Sequence, residues 1–271
     1  MSKKFRLLSL VLAVTAVAVA LRADDKVLVE VTPETPQKVV RGKAVWEDGV
    51  LHCTLPGQVV FTTRFKVDPS KIYTLRGEFR STSGKPTADN IWFGFMCFNK
   101  DGREISSLSI NRISNQLGEV AETAAKGSQT LVLHDLPADW TKLLMTGRYF
   151  AIGAKEDRSD IPNLTQVAYV GKSFEKRHDG TIAVKLSRPL PFEVAAGTKV
   201  AIHFHADTYQ FVSRKKAGSS WTAFGGSYAV KGESGVLAFR PTTTEIAFGF
   251  FCRDKEGGVE VRNLKLVESE D

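Results

Sequence analysis

Hydrophobic and polar residues alternate along most of this chain with a period of two, the spacing of a strand buried on one face. No stretch sustains a helical period for more than a turn or two. The clearest case is Lys71–Arg80, where Tyr73, Leu75 and Phe79 fall on one face and Thr74, Arg76, Glu78 and Arg80 on the other. Shorter alternating runs at Lys26–Val31, Lys43–Trp46, Val50–Leu55 and Val59–Val67 precede it. Pro33–Pro36, Glu47-Asp48-Gly49, Pro56-Gly57 and Asp68-Pro69-Ser70 separate them as turns. Later runs are expected at Asp207–Val212, Trp221–Val230, Gly235–Phe239 and Val259–Val267, with Ser213–Ser220 read as a basic loop.

One pattern occurs twice. Asn90–Arg103 (NIWFGFMCFNKDGR) is answered by Glu245–Val259 (EIAFGFFCRDKEGGV), 155 positions on. Phe93, Gly94, Phe95, Cys97, Lys100 and Gly102 correspond to Phe248, Gly249, Phe250, Cys252, Lys255 and Gly257. Each copy reads as strand, turn, strand, so one hairpin is expected twice, contributing equivalent strands to the two facing sheets of a Greek-key sandwich.

The first residues depart from this pattern. Met1–Ala20 has a basic start at Lys3, Lys4 and Arg6, an apolar run and a small-residue site at Ala18-Val19-Ala20. That is the pattern of a secretory signal peptide ending by residue 23, and it predicts a secreted or periplasmic protein with no membrane span. Losing residues 1–23 removes four basic residues and no acidic one, so the net charge of +7 falls to +3. No stripe of Lys and Arg with interleaved aromatics remains, and nucleic-acid binding has no support. Cys53, Cys97 and Cys252 all fall on core-facing positions. Buried free thiols are expected, with a Cys97 to Cys252 bridge as the alternative.

The order EDGVLHCTLPGQVVFTTRFKVDPSKIYTLRGEFRS, then an aromatic strand, then GGVEVRNLKLVE resembles the jelly-roll, galactose-binding-like carbohydrate-binding modules. The resemblance rests on Tyr73–Arg80 and on Asn263 before an apolar pair, and covers about residues 24–115 and 208–271. Residues 118–206 do not follow it. Their punctuation, from Ala125-Lys126-Gly127 through Met145-Thr146-Gly147 to Ala196-Gly197-Thr198, marks strands of their own and weakly resembles a small barrel-like module of secreted bacterial proteins. The expected architecture is therefore all-β: a jelly-roll β-sandwich from residues 24–117 and 207–271, interrupted by a small β-rich insert over residues 118–206. The resemblance also implies a structural calcium near Glu30, Asp48 and Asn263, although Asn263 stands where an Asp is more usual.

Candidate chemistry is sparse. His203, His205 and Asp207 share one face of an extended strand, but a zinc site needs further ligands, and a packed strand end is the plainer reading. Lys155–Asp160 lacks the spacing of a calcium loop and reads as a solvated turn. No G-x-S-x-G, H-E-x-x-H or phosphate-cradling loop is present, which weighs against an enzyme. Period-two counting then puts Trp92, Phe98, Phe251 and Arg253 on an outward face, with Arg76, Glu78 and Arg80 expected beside them. Rings and guanidinium groups together suit a pyranose. The alternative is that a covering segment makes this face a second small core. The expected function is a secreted, non-catalytic carbohydrate-binding module whose partner is a polysaccharide. The alternatives are an envelope protein-interaction module and, by analogy of fold, a glycan-degrading enzyme.

Overall fold

The computed structural model describes residues 25–113, 116–134, 144, 149–204 and 209–270. The leader, His205, Asp207 and Met145-Thr146-Gly147 lie outside the described residues. Apart from a 3-10 turn at Ser107–Ser109, the named elements are strands. No helix among the described residues is long and apolar enough to cross a membrane.

Two sheets and a barrel hold these strands. The larger sheet is built from β1 (Lys26–Glu30), β3 (Ala44–Glu47), β4 (Val50–Thr54), β6 (Lys71–Ser81), β15 (Thr222–Ala229), β16 (Leu237–Ala238) and β18 (Gly258–Glu270). Its order is β16-β15-β6-β18-β4-β3, with β1 also paired to β18. The second sheet holds β2 (Gln37–Arg41), β5 (Gly57–Lys66), β7 (Ile91–Phe98), β14 (Gln210–Lys215) and β17 (Glu245–Cys252). Its order is β14-β7-β17-β5-β2. The sheets face each other across one apolar core, in which Phe79 of β6 lies 5.2 Å from Phe93 of β7 and 5.2 Å from Phe250 of β17. The alternation of the sequence is thus realised as a sandwich: from Tyr73 to Ser81 the odd-numbered residues of β6 are buried and the even-numbered ones half-buried on the outer side.

The repeat behaves differently from its sequence reading. What recurs is a strand and not a hairpin, and the two copies are neighbours in one sheet. β7 and β17 pair antiparallel with Phe93 opposite Phe250, Gly94 opposite Gly249 and Phe95 opposite Phe248. After the first copy the chain returns through a short turn closed by the bridge Phe98 to Glu104 and by bonds from Asn99 N–H to Arg103 C=O, 2.9 Å, and from Ile105 N–H to Cys97 C=O, 2.8 Å, with no second named strand. After the second it crosses to the other sheet, because β18 is long enough to pair with β6, β4 and β1 at once. The register also excludes a Cys97 to Cys252 bridge. Cys97 lies opposite Ile246 and Cys252 opposite Ile91, so the two sulfurs sit roughly 20 Å apart along the strands at ~3.3 Å per residue. All three thiols are free and buried.

Residues 118–203 contribute a closed barrel of β8 (Gly118–Val120), β9 (Thr130–His134), β10 (Tyr149–Ile152), β11 (Gln166–Lys176), β12 (Ile182–Leu186) and β13 (Lys199–His203), in the order β10-β11-β12-β9-β8-β13. It has its own core, which includes Leu131, Leu133, Phe150, Val184, Val200 and Ile202. The barrel carries an internal two-fold that sequence reading missed. Ala124 and Val194 exchange both backbone bonds, at 2.8 and 2.9 Å. Gly127 N–H reaches Leu190 C=O at 2.9 Å, as Gly197 N–H reaches Val120 C=O at 2.8 Å. Gly127 and Gly197 both take left-handed φ, 93° and 81°, which glycine adopts without strain.

The barrel is joined to the sandwich through the segment around Ser107–Ser109. Asn163 N–H bonds Ser109 C=O at 2.8 Å, Gln166 Nε2 bonds Leu108 C=O at 2.7 Å, and Ile113 N–H bonds Ile202 C=O at 3.0 Å. His203, fully buried here, gives its Nδ1 to Leu108 C=O while its Nε2 has no partner. Burial lowers its pKa, with the bond to Leu108 and Asp160 opposing and Arg112 adding to the fall.

Candidate ligand-binding face

The outer surface of the second sheet is built by alternation. Because Phe93, Phe95, Phe248 and Phe250 fill the core, Trp92, Gly94, Met96 and Phe98 on β7 and Ala247, Gly249 and Phe251 on β17 must face outward. Cross-strand register then aligns Arg214 of β14, Trp92 of β7, Phe251 of β17 and Gln58 of β5 directly opposite one another in one row. The rings of Trp92 and Phe251 are parallel within 4° at 5.5 Å, and Phe211 meets Trp92 edge-on at 4.8 Å. The Arg214 guanidinium lies 4.6 Å from the indole centroid and that of Arg253 5.6 Å.

This face is divided into a closed half and an open half. Met96, Phe98, Tyr209 and Ala247 form a small buried cluster, so for these residues the second-core expectation is the one realised. The Arg64 guanidinium seals it, 3.8 Å from the Phe98 centroid and bonded to Gly102 C=O at 3.1 Å. The Tyr209 hydroxyl accepts from Gln58 Nε2 at 3.0 Å; burial raises its pKa, against the lowering effect of that bond. Beyond it, Trp92, Phe211 and Phe251 are partly exposed, and Arg214 and Arg253 are exposed.

Of the sequence-derived set, Trp92, Phe251 and Arg253 are therefore brought together. Phe98 shares their face but lies in its closed half. Arg76, Glu78 and Arg80 do not join them: β6 belongs to the other sheet, and these three face outward on the opposite side of the sandwich. The reason is that β6 and β7 are joined by a nine-residue polar loop, Thr82–Asn90, long enough to cross the core, not by a hairpin turn. On that far side Trp221 lies 4.6 Å from the Arg80 guanidinium and 4.2 Å from that of Arg262, but both cations already have carboxylates. Arg80 pairs with Glu260, and Arg262 with Glu78 at 2.7 Å. Arg214 falls in the run Ser213–Ser220 that reads as a basic loop in sequence; in the structure β14 runs on to Lys215 and sets Arg214 opposite Trp92, a long-range pairing that the local sequence does not signal.

Two of the three expected calcium ligands have other partners. Glu30 binds Lys265 Nζ at 2.9 Å, and the Asn263 amide donates to Glu78 at 2.9 Å. Asn263 sits in a bulge of β18 at φ 53°, a left-handed position that Asn tolerates, which accounts for Asn at this place without a metal. Asp48 occupies the β3–β4 turn at φ 49°. No group of three or more His, Cys, Asp or Glu side chains suited to a metal is gathered among the described residues. In Lys155–Asp160 the carboxylates cap backbone: Asp160 accepts from Lys155 N–H at 3.0 Å and Asp157 from Ser159 N–H at 3.0 Å.

No protein-family model matches the chain, and no curated protein matches it in sequence. Its function has to be argued from the face itself.

Proposed function

We propose that this chain is a non-catalytic glycan-binding β-sandwich protein whose ligand rests on the open half of the outer face, at Trp92, Phe211, Phe251, Arg214 and Arg253. The observation that carries the reading is the row Arg214, Trp92, Phe251, Gln58, which sets two partly exposed rings between two polar heads across four paired strands. A sugar offers both apolar C–H patches and hydroxyl groups, and such a row meets both. The ring faces of Trp92 and Phe251 are turned partly toward each other, so a pyranose would lie across their exposed rims with its hydroxyls on the two guanidinium groups. A rigid sheet holds the row in place before the ligand arrives, which lowers the ordering cost of binding. The reading leaves the far face out, since the two arginines beside Trp221, Arg80 and Arg262, are already neutralised.

The test is a glycan array probed with the chain lacking residues 1–23, beside Trp92→Ala and Trp221→Ala. Selective binding that vanishes in Trp92→Ala and survives in Trp221→Ala is expected. Equal binding by the wild type and Trp92→Ala, or binding lost only in Trp221→Ala, would move the site off this face.

A further inference from the structure

Charge accounting on the same face goes one step further. Several surface arginines have an acidic partner: Arg64 with Glu245 at 3.5 Å, Arg80 with Glu260, Arg262 with Glu78, and on the barrel Arg177 with Glu122. Arg214 and Arg253 differ from these four: their guanidinium groups rest on the aromatic rings of one face, Trp92 and Phe251, and among the described residues neither forms an ion pair. Nearby carboxylates are engaged with backbone: Asp254, next to Arg253, accepts from the N–H groups of Ala88 and Asp89, and Asp89 accepts from Asn90 N–H. Two planar forks backed by rings are held at fixed places with their N–H edges unsatisfied, a geometry matched to the paired oxygens of a carboxylate or sulfate.

We infer that the ligand is an acidic glycan, with carboxylate or sulfate groups taken by Arg214 and Arg253 while the Trp92–Phe251 rims carry the sugar ring. This rests on the glycan-binding reading above. A polynucleotide is a weaker match, because bases need an open ring face and the faces of Trp92 are flanked by Phe251 and Arg214.

Isothermal titration of the chain without residues 1–23 against polygalacturonate, a sulfated galactan, neutral galactan and single-stranded poly(dT) tests the inference. Binding to at least one acidic glycan and not to neutral galactan is expected, with the two acidic arms separating uronate from sulfate. The affinity should fall at least tenfold in Arg214→Gln/Arg253→Gln and weaken as salt is raised. Arg214→Lys/Arg253→Lys, which keeps the charge but loses the fork, should recover only part of it. Neutral galactan bound as tightly as the acidic polymers, with no effect of the double glutamine variant, would overturn the acidic ligand and leave glycan binding standing. Binding to none of the glycans would remove both. Poly(dT) bound more tightly than any glycan would replace the sugar by a nucleic acid.

Discussion

At the scale of single residues, burial decides chemistry more than residue type does. Cys53, Cys97 and Cys252 sit in the sandwich core, and burial pushes the thiols of Cys53 and Cys252 up to about 12 and about 11, with Cys97 raised as well. Since the thiolate is the reacting species, the native protein at pH 8 should take up essentially no iodoacetamide over an hour, while the denatured chain takes up three equivalents. Rapid modification of one native thiol would show that its position is open to solvent. These inward positions were legible, because alternation alone sets which face a residue is on. The candidate site was legible only in part, for the same reason: alternation says that Arg76 and Trp92 both face outward, but not which side of a two-sheet sandwich each outward face is.

At the scale of elements, β7 and β17 are held together by their pairing of like with like. Gly94 and Gly249 meet at the centre of the pair, and neither has room for a methyl group. A Cβ at Gly94 would press on the Gln210 carbonyl, and one at Gly249 would sit 2.5 Å from the Val59 carbonyl oxygen. Both obstacles are backbone, which cannot swing aside as a side chain can. Gly94→Ala and Gly249→Ala should each cost about 1–3 kcal/mol, the usual range for overpacking, read as a drop in the urea midpoint. A midpoint unchanged in both would mean that the strands can spread. The repeat itself was visible in sequence. Its consequence was not, since two similar strands can equally occupy facing sheets or lie side by side, and only long-range pairing distinguishes the two.

At the scale of the whole molecule, sandwich and barrel meet over a buried histidine. His203 donates from Nδ1 to Leu108 C=O, so in the neutral ring Nε2 carries no proton, and protonation would put a second charge beside Arg112. Its folded pKa lies below the ordinary 6.5, so the unfolded chain binds the proton first. Stability from this group is therefore complete above pH 6.5 and is lost as pH falls through 6.5 toward the folded value. Between pH 8 and pH 5.5 the melting temperature of the wild type should fall further than that of His203→Gln. Parallel pH profiles for the two proteins would show that the junction does not sense this proton. The barrel was readable in sequence as a separate run of strands with its own turns. Its closure was not, because it depends on the long-range pairing of β10 with β13, and its two-fold shows in the backbone bonds between Ala124 and Val194.

The central claim, that ligand rests on the row through Trp92, is tested most directly by the indole N–H signals in a 15N–1H spectrum. The four tryptophans give separate resonances, assigned by single Trp→Phe variants, and the glycan retained on the array is titrated in. A saturable shift of the Trp92 resonance, with that of Trp221 unmoved, is the predicted result. A bound glycan that shifts Trp221 and leaves Trp92 in place would contradict the account.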